Sequence, residues 1–187
     1  TMNEIEQALS VIAFGFLTEE TKTDLPTVQD FHEVYASEDG QKIINKKVTL
    51  LHCTSEYPAP LNEINLKAMN SISNTFSTNI GYSDHSKGIH VSLAAVAMGA
   101  TIIEKHFTLD KNLSGPDHQA SLEPDELIEM IRCIRELEEI MGDGLKKPTD
   151  SELNNIPVVR KSLVAKTRIN KGEVFSKENI TSKRPGT

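Results

Sequence analysis

The sequence predicts an α/β fold with a parallel sheet, followed by a shorter β-rich region. Three times between residues 47 and 141 a strand pattern is followed by a polar loop and a helix pattern. Repeated units of this kind are typical of parallel sheets with right-handed crossovers. We therefore predict an α/β domain over residues 1–141, a linker over 142–157 that contains two prolines, and a second domain that begins at residue 158.

The residues before the first strand pattern predict helices. Thr1 and Glu4 have the spacing of a capping box, and the apolar residues that follow recur at helical intervals to about residue 15. Pro26 is placed to open a second helix, which a break at residues 37–40 ends, and a further short helix follows. Because the first helix has no strand of its own, we expect the natural protein to continue upstream.

Three strand–loop–helix units come next. Their strands are apolar and rich in β-branched residues, as buried parallel strands are. We predict strands over residues 47–53, 79–82 and 101–104, and helices over 62–76, 88–98 and 125–141. The last helix has six apolar residues predicted to face inward: Leu127, Ile128, Ile131, Ile134, Leu137 and Ile140. The final region predicts strands over 158–169 and 180–184, with a turn at 170–172 and one helical turn at 176–179.

Composition and charge exclude several classes of protein. The net charge is −7, from 20 Lys and Arg against 27 Asp and Glu. This balance argues against non-specific binding to nucleic acid, which needs clustered basic residues. Apolar runs are far too short for a membrane span. The two cysteines are too few for a disulfide framework, so we expect free, buried thiols and a cytoplasmic protein.

Two predicted strands end in histidine. The first closes with Ser83, Asp84 and His85, and the next closes with Glu104, Lys105 and His106. Polar residues at the ends of neighbouring parallel strands face the same edge of the sheet, and neutral imidazole is a common ligand of divalent metals. The pair is thus a candidate metal site in an active site, with the two preceding acids as candidate supports for the ligands. The alternative is that each histidine only caps its strand.

Other polar residues near these strand ends carry weaker signals. Ser83 and Ser86 precede a predicted helix, where hydroxyls and a helix N-terminus favour anions; plain helix capping explains them equally well. Tyr57 follows the first strand, either reaching into the site or packing against neighbouring prolines. Asp117 follows a Gly-Pro turn and is placed either to bind a polyol or to remain solvated.

Several motifs in order carry a family resemblance. They are LLHCTSEYPAP, NLKAMNSI, GYSDHS, EKHFTLDK, GPDHQASLEPDEL and RKSLVAKTRINKGEVFSKENITSKRPG. Together they resemble the sialic acid synthase family, which makes N-acetylneuraminate and related nonulosonates from phosphoenolpyruvate and an N-acylated hexose. The resemblance implies the C-terminal portion of a (β/α)8 TIM barrel, including its sixth to eighth strands. A partial antifreeze-like (SAF) domain would follow.

The resemblance also implies roles for individual residues. His85 and His106 would bind the catalytic divalent metal, usually Mn2+, with Mg2+ or Co2+ possible. Ser83 would contact the phosphate of phosphoenolpyruvate, and Tyr57 and Asp117 the amino sugar. Two further substrate-binding candidates are Ser55, where some members have asparagine, and Arg184, which one subunit would lend to its partner in a domain-exchanged homodimer.

The implied reaction is a condensation. C3 of phosphoenolpyruvate attacks the aldehyde carbon of an open-chain sugar, N-acetylmannosamine or a related amino sugar, which the metal polarises. Water then adds at C2 and phosphate leaves by C–O cleavage. Other phosphate-binding residues of the family belong to the first half of the barrel. We therefore expect the 187 residues of this chain to be inactive by themselves.

Two other functions are compatible with the sequence. One is a non-catalytic module for carbohydrate binding or oligomerisation, which metal titration of histidine variants would distinguish. The other is a metal-free aldolase, which needs a Schiff-base lysine at a strand end. Lys105 is the candidate, but its place beside His106 predicts that it points away from the site.

Overall fold

The computed structural model describes residues 1–18 and 25–185, in two compact units, Thr1–Gly142 and Asp143–Thr187. No helix in these ranges combines the length and apolarity needed to cross a bilayer. The helices and strands of the first unit are, in order, α1 (Met2–Leu17), α2 (Val28–Ala36), α3 (Glu38–Lys47), β1 (Thr49–Cys53), α4 (Lys67–Phe76), β2 (Asn79–Asp84), α5 (His90–Ala97), β3 (Ile103–Lys105) and α6 (Pro124–Met141). Those of the second are α7 (Asp150–Leu153), α8 (Ile156–Val159), β4 (Ser162–Ala165) and β5 (Ile180–Lys183).

The strands β1, β2 and β3 form a parallel sheet in that order, as predicted. β2 extends two residues beyond its predicted end, to Asp84, because Asp84 pairs in register with Lys105. The same pairing places Cys53 beside Ser83, and Ser83 beside Glu104. The polar strand ends therefore lie in one row across the sheet.

The two faces of the sheet differ. On the face covered by helices, the core includes Ile80 and Tyr82, which are 6% and 0% exposed. The opposite face is more open, and Ile102 there is 46% exposed. Gly81 also lies on this face, where an added Cβ would come within 2.7 Å of the Ile102 carbonyl oxygen and 3.1 Å of Leu51 Cγ. The close approach explains the absence of a side chain at this position.

The break predicted at residues 37–40, between the amino-terminal helices, is wrong for residues 38–40. Ser37 ends α2, but it also caps α3, since its Oγ accepts a hydrogen bond from Gly40 N at 3.0 Å. Residues 38–40 are therefore the first turn of α3 and not a loop. A Cβ at Gly40 would lie 2.0 Å from the Val34 carbonyl oxygen, so only glycine lets the two helices approach this closely.

Helix α6 buries a narrower stripe than predicted. Met130 is 5% exposed, whereas Ile128, Ile131 and Ile140 are 65%, 47% and 75% exposed, so the inward prediction is wrong for these three. The half-buried residues Leu127, Ile134 and Leu137 extend the stripe of Met130 at intervals of three and four. That spacing covers one side of the helix, against α5.

Other element boundaries also differ from the predictions. A 3-10 turn at Leu61–Glu63 and the positive φ of Asn65, 48°, delay the start of α4 to Lys67. In the second unit, the stretch predicted as a linker contains α7 and the start of α8. The predicted strands are shorter and pair as an antiparallel β4–β5 hairpin, with Ser162 opposite Lys183.

Candidate active site at the carboxyl ends of the sheet

His85 and His106 follow β2 and β3 directly and their rings come together. The ring centroids lie 5.2 Å apart and the ring planes are nearly perpendicular, at 80°. Both side chains are partly exposed on the open edge of the sheet. The strand-end pattern in the sequence thus places two imidazoles in contact across neighbouring strands.

His85 is held by main-chain atoms of the loop after β1. Its Nδ1 lies 2.8 Å from the Thr54 carbonyl oxygen, and its own carbonyl oxygen accepts a hydrogen bond from Ala59 N at 2.9 Å. Because a carbonyl oxygen can only accept, Nδ1 carries the proton in this bond. The lone pair of the neutral ring is therefore on Nε2, a tautomer commonly fixed this way in metal-binding histidines.

Tyr57 packs against both histidines. Its ring stacks on His106, with centroids 4.2 Å apart and planes at 25°, and meets His85 edge-on at 5.4 Å. Its Oη lies 3.3 Å from Ser121 Oγ. Burial raises the pKa of the phenol, an effect that the Ser121 contact opposes and Asp117 reinforces. The phenol is thus neutral and able to donate at ordinary pH.

The loop after β3 supports His106 and carries Asp117. The His106 carbonyl oxygen accepts a hydrogen bond from Leu122 N at 2.9 Å. Asp117 Oδ2 lies 3.8 Å from His106 Nδ1, and the Asp117 side chain is 55% exposed. The carboxylate is accessible at the rim while it faces the second imidazole.

A second row of polar side chains, from Cys53, Ser83 and Glu104, crosses the sheet two residues before the histidines. Ser83 is 5% exposed, and its Oγ donates to Glu104 Oε1 at 2.6 Å. Cys53 Sγ lies 3.7 and 3.8 Å from Nδ1 and Nε2 of His85. Both cysteines are free, but Cys53 is exposed and Cys133 is only partly buried, so the prediction of buried thiols is wrong for both. The contact with His85 was not predicted, although Cys53 ends β1, His85 directly follows the adjacent β2, and Cys53 pairs with Ser83 on the same side of the sheet.

The residues that precede the histidines point to the other face of the sheet. Asp84 and Lys105 form an ion pair at 3.0 Å, with their side chains 0% and 4% exposed. The Asp84 carboxylate also accepts from Ser86 N, Ser86 Oγ and Ser92 Oγ, at 2.8, 2.7 and 2.6 Å. Asp84 is therefore not a support that touches a histidine ring, and Ser86 is not a free anion donor. Burial lowers the pKa of Lys105, which Asp84 partly opposes, and the buried lysine does not face the site.

The two remaining predicted residues lie elsewhere. Ser55 is exposed in the turn two residues before Tyr57. Arg184 is exposed directly after β5, in the second compact unit. The Gly186 of its motif lies outside the described residues.

The histidine pair fits a divalent metal ion. A ring centroid lies about 3.2 Å from an ion bound through one ring nitrogen, so two such rings with a nitrogen–metal–nitrogen angle of about 90° to 110° have centroids roughly 4.5 to 5.2 Å apart. The observed separation of 5.2 Å falls within that range. Within residues 1–18 and 25–185, no group of three or more His, Cys, Asp or Glu is arranged to hold a metal.

Comparisons with known proteins agree with the resemblance. The chain is 64% identical over 140 residues to N,N'-diacetyllegionaminic acid synthase of Campylobacter jejuni, covering 75% of this chain and 42% of that protein. It is 40% identical over 143 residues to human N-acetylneuraminate-9-phosphate synthase, covering 76% and 40%. The crystal structure of N-acetylneuraminic acid (sialic acid) synthetase from Leptospira borgpetersenii, in complex with citrate, matches with a TM-score of 0.58 and 34% identity, over 83% of this chain and 53% of that one.

Family models divide the chain between them. The SAF domain model matches residues 160–187 and the NeuB family model matches residues 1–146. The matched part of the chain spans about two fifths of the length of these two curated relatives. With a match over most of its residues, including the two histidine-bearing strand ends, the chain belongs to the NeuB family.

Proposed function

We propose that this chain forms part of a synthase that condenses phosphoenolpyruvate with an N-acetylated amino sugar to give a nonulosonate and inorganic phosphate. The observation that carries the proposal is the pair of imidazoles at adjacent strand ends, 5.2 Å apart, within a chain of the NeuB family. The named relatives, which are legionaminic acid and N-acetylneuraminate-9-phosphate synthases, support the product class.

His85 and His106 are the proposed metal ligands. They would hold a divalent ion, Mn2+ foremost and Mg2+ or Co2+ as alternatives, which when bound supplies Lewis-acid activation of the sugar carbonyl. The hydrogen bond from His85 Nδ1 to the Thr54 carbonyl oxygen keeps Nε2 free to ligate. Stacking on Tyr57 orients the His106 ring.

The proposed reaction balances without a redox partner. C3 of phosphoenolpyruvate forms a bond to the aldehyde carbon, whose oxygen takes up a proton. The oxygen of one water molecule adds at C2 and the bond from C2 to the phosphate oxygen breaks, so that inorganic phosphate leaves and a keto group remains. Of the two water protons, one balances the proton taken up by the aldehyde oxygen and the other leaves with the phosphate.

The neighbouring polar residues are proposed to bind the two substrates. Ser83 would contact the phosphate, which requires its hydroxyl to turn from the Glu104 carboxylate that it now meets. The neutral Tyr57 phenol can donate to the sugar, and the exposed Asp117 carboxylate can accept from sugar hydroxyls. Ser55, at the exposed turn, is a further sugar contact.

The sugar substrate is proposed to be the di-N-acetylated hexose that is the precursor of a legionaminic acid. The support is the 64% identity to the Campylobacter jejuni legionaminic acid synthase, against 40% to the human synthase. N-acetylmannosamine is the alternative. Product formation from each sugar under identical conditions distinguishes them.

The assembly is also proposed from the family. The parallel sheet and its helices would belong to the carboxyl-terminal portion of a (β/α)8 barrel, whose active sites lie at the strand ends. Arg184, after β5, would reach the substrate of a partner subunit in a domain-exchanged homodimer. The synthase would act in the cytoplasm.

Mn2+ titration of the full-length protein tests the proposal. Single variants His85→Ala and His106→Ala should each weaken Mn2+ binding by at least about tenfold and abolish phosphate release. His90→Ala, an exposed histidine at the start of α5, is the matched control and should bind like wild type. Equal Mn2+ binding by all four proteins would contradict the proposal and favour a non-catalytic carbohydrate-binding or oligomerisation module.

A further inference from the structure

The buried ion pair between Asp84 and Lys105 lies at the ends of the two strands that carry the histidines, on the opposite face of the sheet. The two residues are register partners on β2 and β3, and each immediately precedes a histidine in the chain. Their side chains are 0% and 4% exposed and meet at 3.0 Å on the helix-covered face. The pair therefore joins the two strand ends at the last residue before each imidazole.

The pair also fixes the turn that follows His85. Asp84 accepts hydrogen bonds from the main-chain N and the hydroxyl of Ser86, at 2.8 and 2.7 Å. Lys105 donates to the Ser86 carbonyl oxygen. The residues on either side of His85, Asp84 and Ser86, are thus both bonded to the ammonium group of Lys105 on β3. Ser92 of α5 donates a further hydrogen bond to the Asp84 carboxylate at 2.6 Å.

Stability alone is a weak reason for this arrangement. A buried ion pair is often no more stabilising than apolar residues of similar size, because both charges lose their hydration. The described contacts instead restrict where two backbone segments can lie relative to each other. A site that binds one ion through only two protein ligands depends on that relative position.

We propose that Asp84 and Lys105 are positioning residues that fix the separation and orientation of His85 and His106 for metal binding. The inference rests on the proposed function, because it assumes that the two histidines share an ion. Neither residue touches the ion or a substrate; both act through the backbone of the strand ends.

The direction of the change in Mn2+ affinity distinguishes a positioning role of Lys105 from an effect of its charge. Lys105→Met removes a nearby positive charge, which by Coulomb's law should strengthen binding of a cation. Loss of positioning should instead weaken Mn2+ binding by about tenfold, the range seen when residues that orient metal ligands are removed. The double variant Asp84→Asn/Lys105→Met leaves the net charge unchanged and no buried ion unpaired, and it should weaken binding to a similar extent.

Electron paramagnetic resonance of Mn2+ titrated into the full-length protein measures the affinity well below the unfolding temperature. Ile44→Ala, which opens a cavity in the helical core at a residue 1% exposed, is the destabilised control and should keep wild-type affinity. Ser92→Ala removes one hydrogen bond to Asp84 without changing a charge, so it should weaken Mn2+ binding less than the ion-pair variants do. It keeps the positioning role testable if Lys105→Met does not fold.

The outcomes separate this inference from the proposed function. Wild-type Mn2+ affinity in Ser92→Ala and in the foldable ion-pair variants, alongside loss in His85→Ala, overturns the positioning role alone. Affinity that does not depend on His85 overturns the proposed metal site itself. Weaker binding in the variants with unchanged binding in Ile44→Ala supports the proposal.

Discussion

Replacing Tyr57 by leucine should weaken metal binding although Tyr57 is not a proposed ligand. Its ring stacks on His106 at 4.2 Å and meets His85 edge-on at 5.4 Å, so it limits rotation of both imidazoles. Leucine retains an apolar side chain but removes both ring contacts. Tyr57→Phe keeps the ring and removes only the hydroxyl, which makes it the matched control.

The magnitude follows from the two contacts. Aromatic pairs contribute about 0.5–1.5 kcal/mol each, so their joint loss is about 1–3 kcal/mol. Apparent affinity falls in proportion to the fraction of molecules in the binding orientation, and about 1.4 kcal/mol corresponds to a tenfold change. We therefore expect Mn2+ binding in Tyr57→Leu to be roughly 5- to 140-fold weaker. In Tyr57→Phe the expected change is within about twofold, because the 3.3 Å contact with Ser121 holds the tyrosine and not the imidazoles.

Calorimetric titration with Mn2+ in the absence of substrate provides the measurement, and steady-state kinetics with the amino sugar complement it. Tyr57→Phe should raise KM for the sugar while metal affinity is retained, since the phenol is the proposed sugar donor. Equal metal affinity in the leucine and phenylalanine variants would refute the reasoning that the ring orients the histidines.

Three further predictions concern stability. Gly40→Ala should lower the free energy of unfolding by about 3 kcal/mol or more, because the new Cβ would lie 2.0 Å from a carbonyl oxygen of α2. The control Gly15→Ala, whose Cβ would meet nothing within 4 Å, should raise the free energy of unfolding by about 0.5–1 kcal/mol. Equal effects of the two substitutions in urea unfolding would contradict this prediction. Gly81→Ala should cost about 1–3 kcal/mol, since its Cβ would lie 2.7 Å from a carbonyl oxygen next to β3; an unchanged urea midpoint is the opposing result. The Glu126 pKa lies below its ordinary 4.5, chiefly through the hydrogen bond from Lys111, so the unfolded state binds more protons and stability should fall as pH drops from about 4.5 through the folded pKa. Urea midpoints from pH 5 to 3 should show a shallower slope in Glu126→Gln and in Lys111→Met, and slopes equal to wild type would be inconsistent with this pair.

The sequence was most informative where strand periodicity determines geometry. His85 and His106 each end a strand pattern, and parallel strands bring such ends together, so their proximity follows from local sequence. The buried location of Lys105 follows from the same alternation, because it is adjacent to His106 and faces the opposite side. The existence of the parallel sheet followed from the repeated strand–helix pattern.

Contacts between loops and strands could not be predicted in this way. The carbonyl oxygen of Thr54 bonds His85, and main-chain acceptors have no residue-type signature. Asp84 was expected to support a histidine, but its register partner Lys105 competes for the carboxylate. Apolar character predicts that Ile128 faces inward, but it indicates a buried face only approximately. The burial of α6 depends on its packing against α5, which leaves Ile128 exposed.

The main-chain hydrogen bonds to the two histidines have an evolutionary consequence. Ala59 N and Leu122 N each bond the carbonyl oxygen of one histidine at 2.9 Å, and any residue except proline can supply that donor. The path of each loop is therefore constrained, whereas the identity of most loop side chains is not. Ser55 and Asp117, the proposed sugar contacts, lie in loops of this kind. We therefore expect substitutions at these two positions to leave both main-chain hydrogen bonds, and with them the imidazoles, in place.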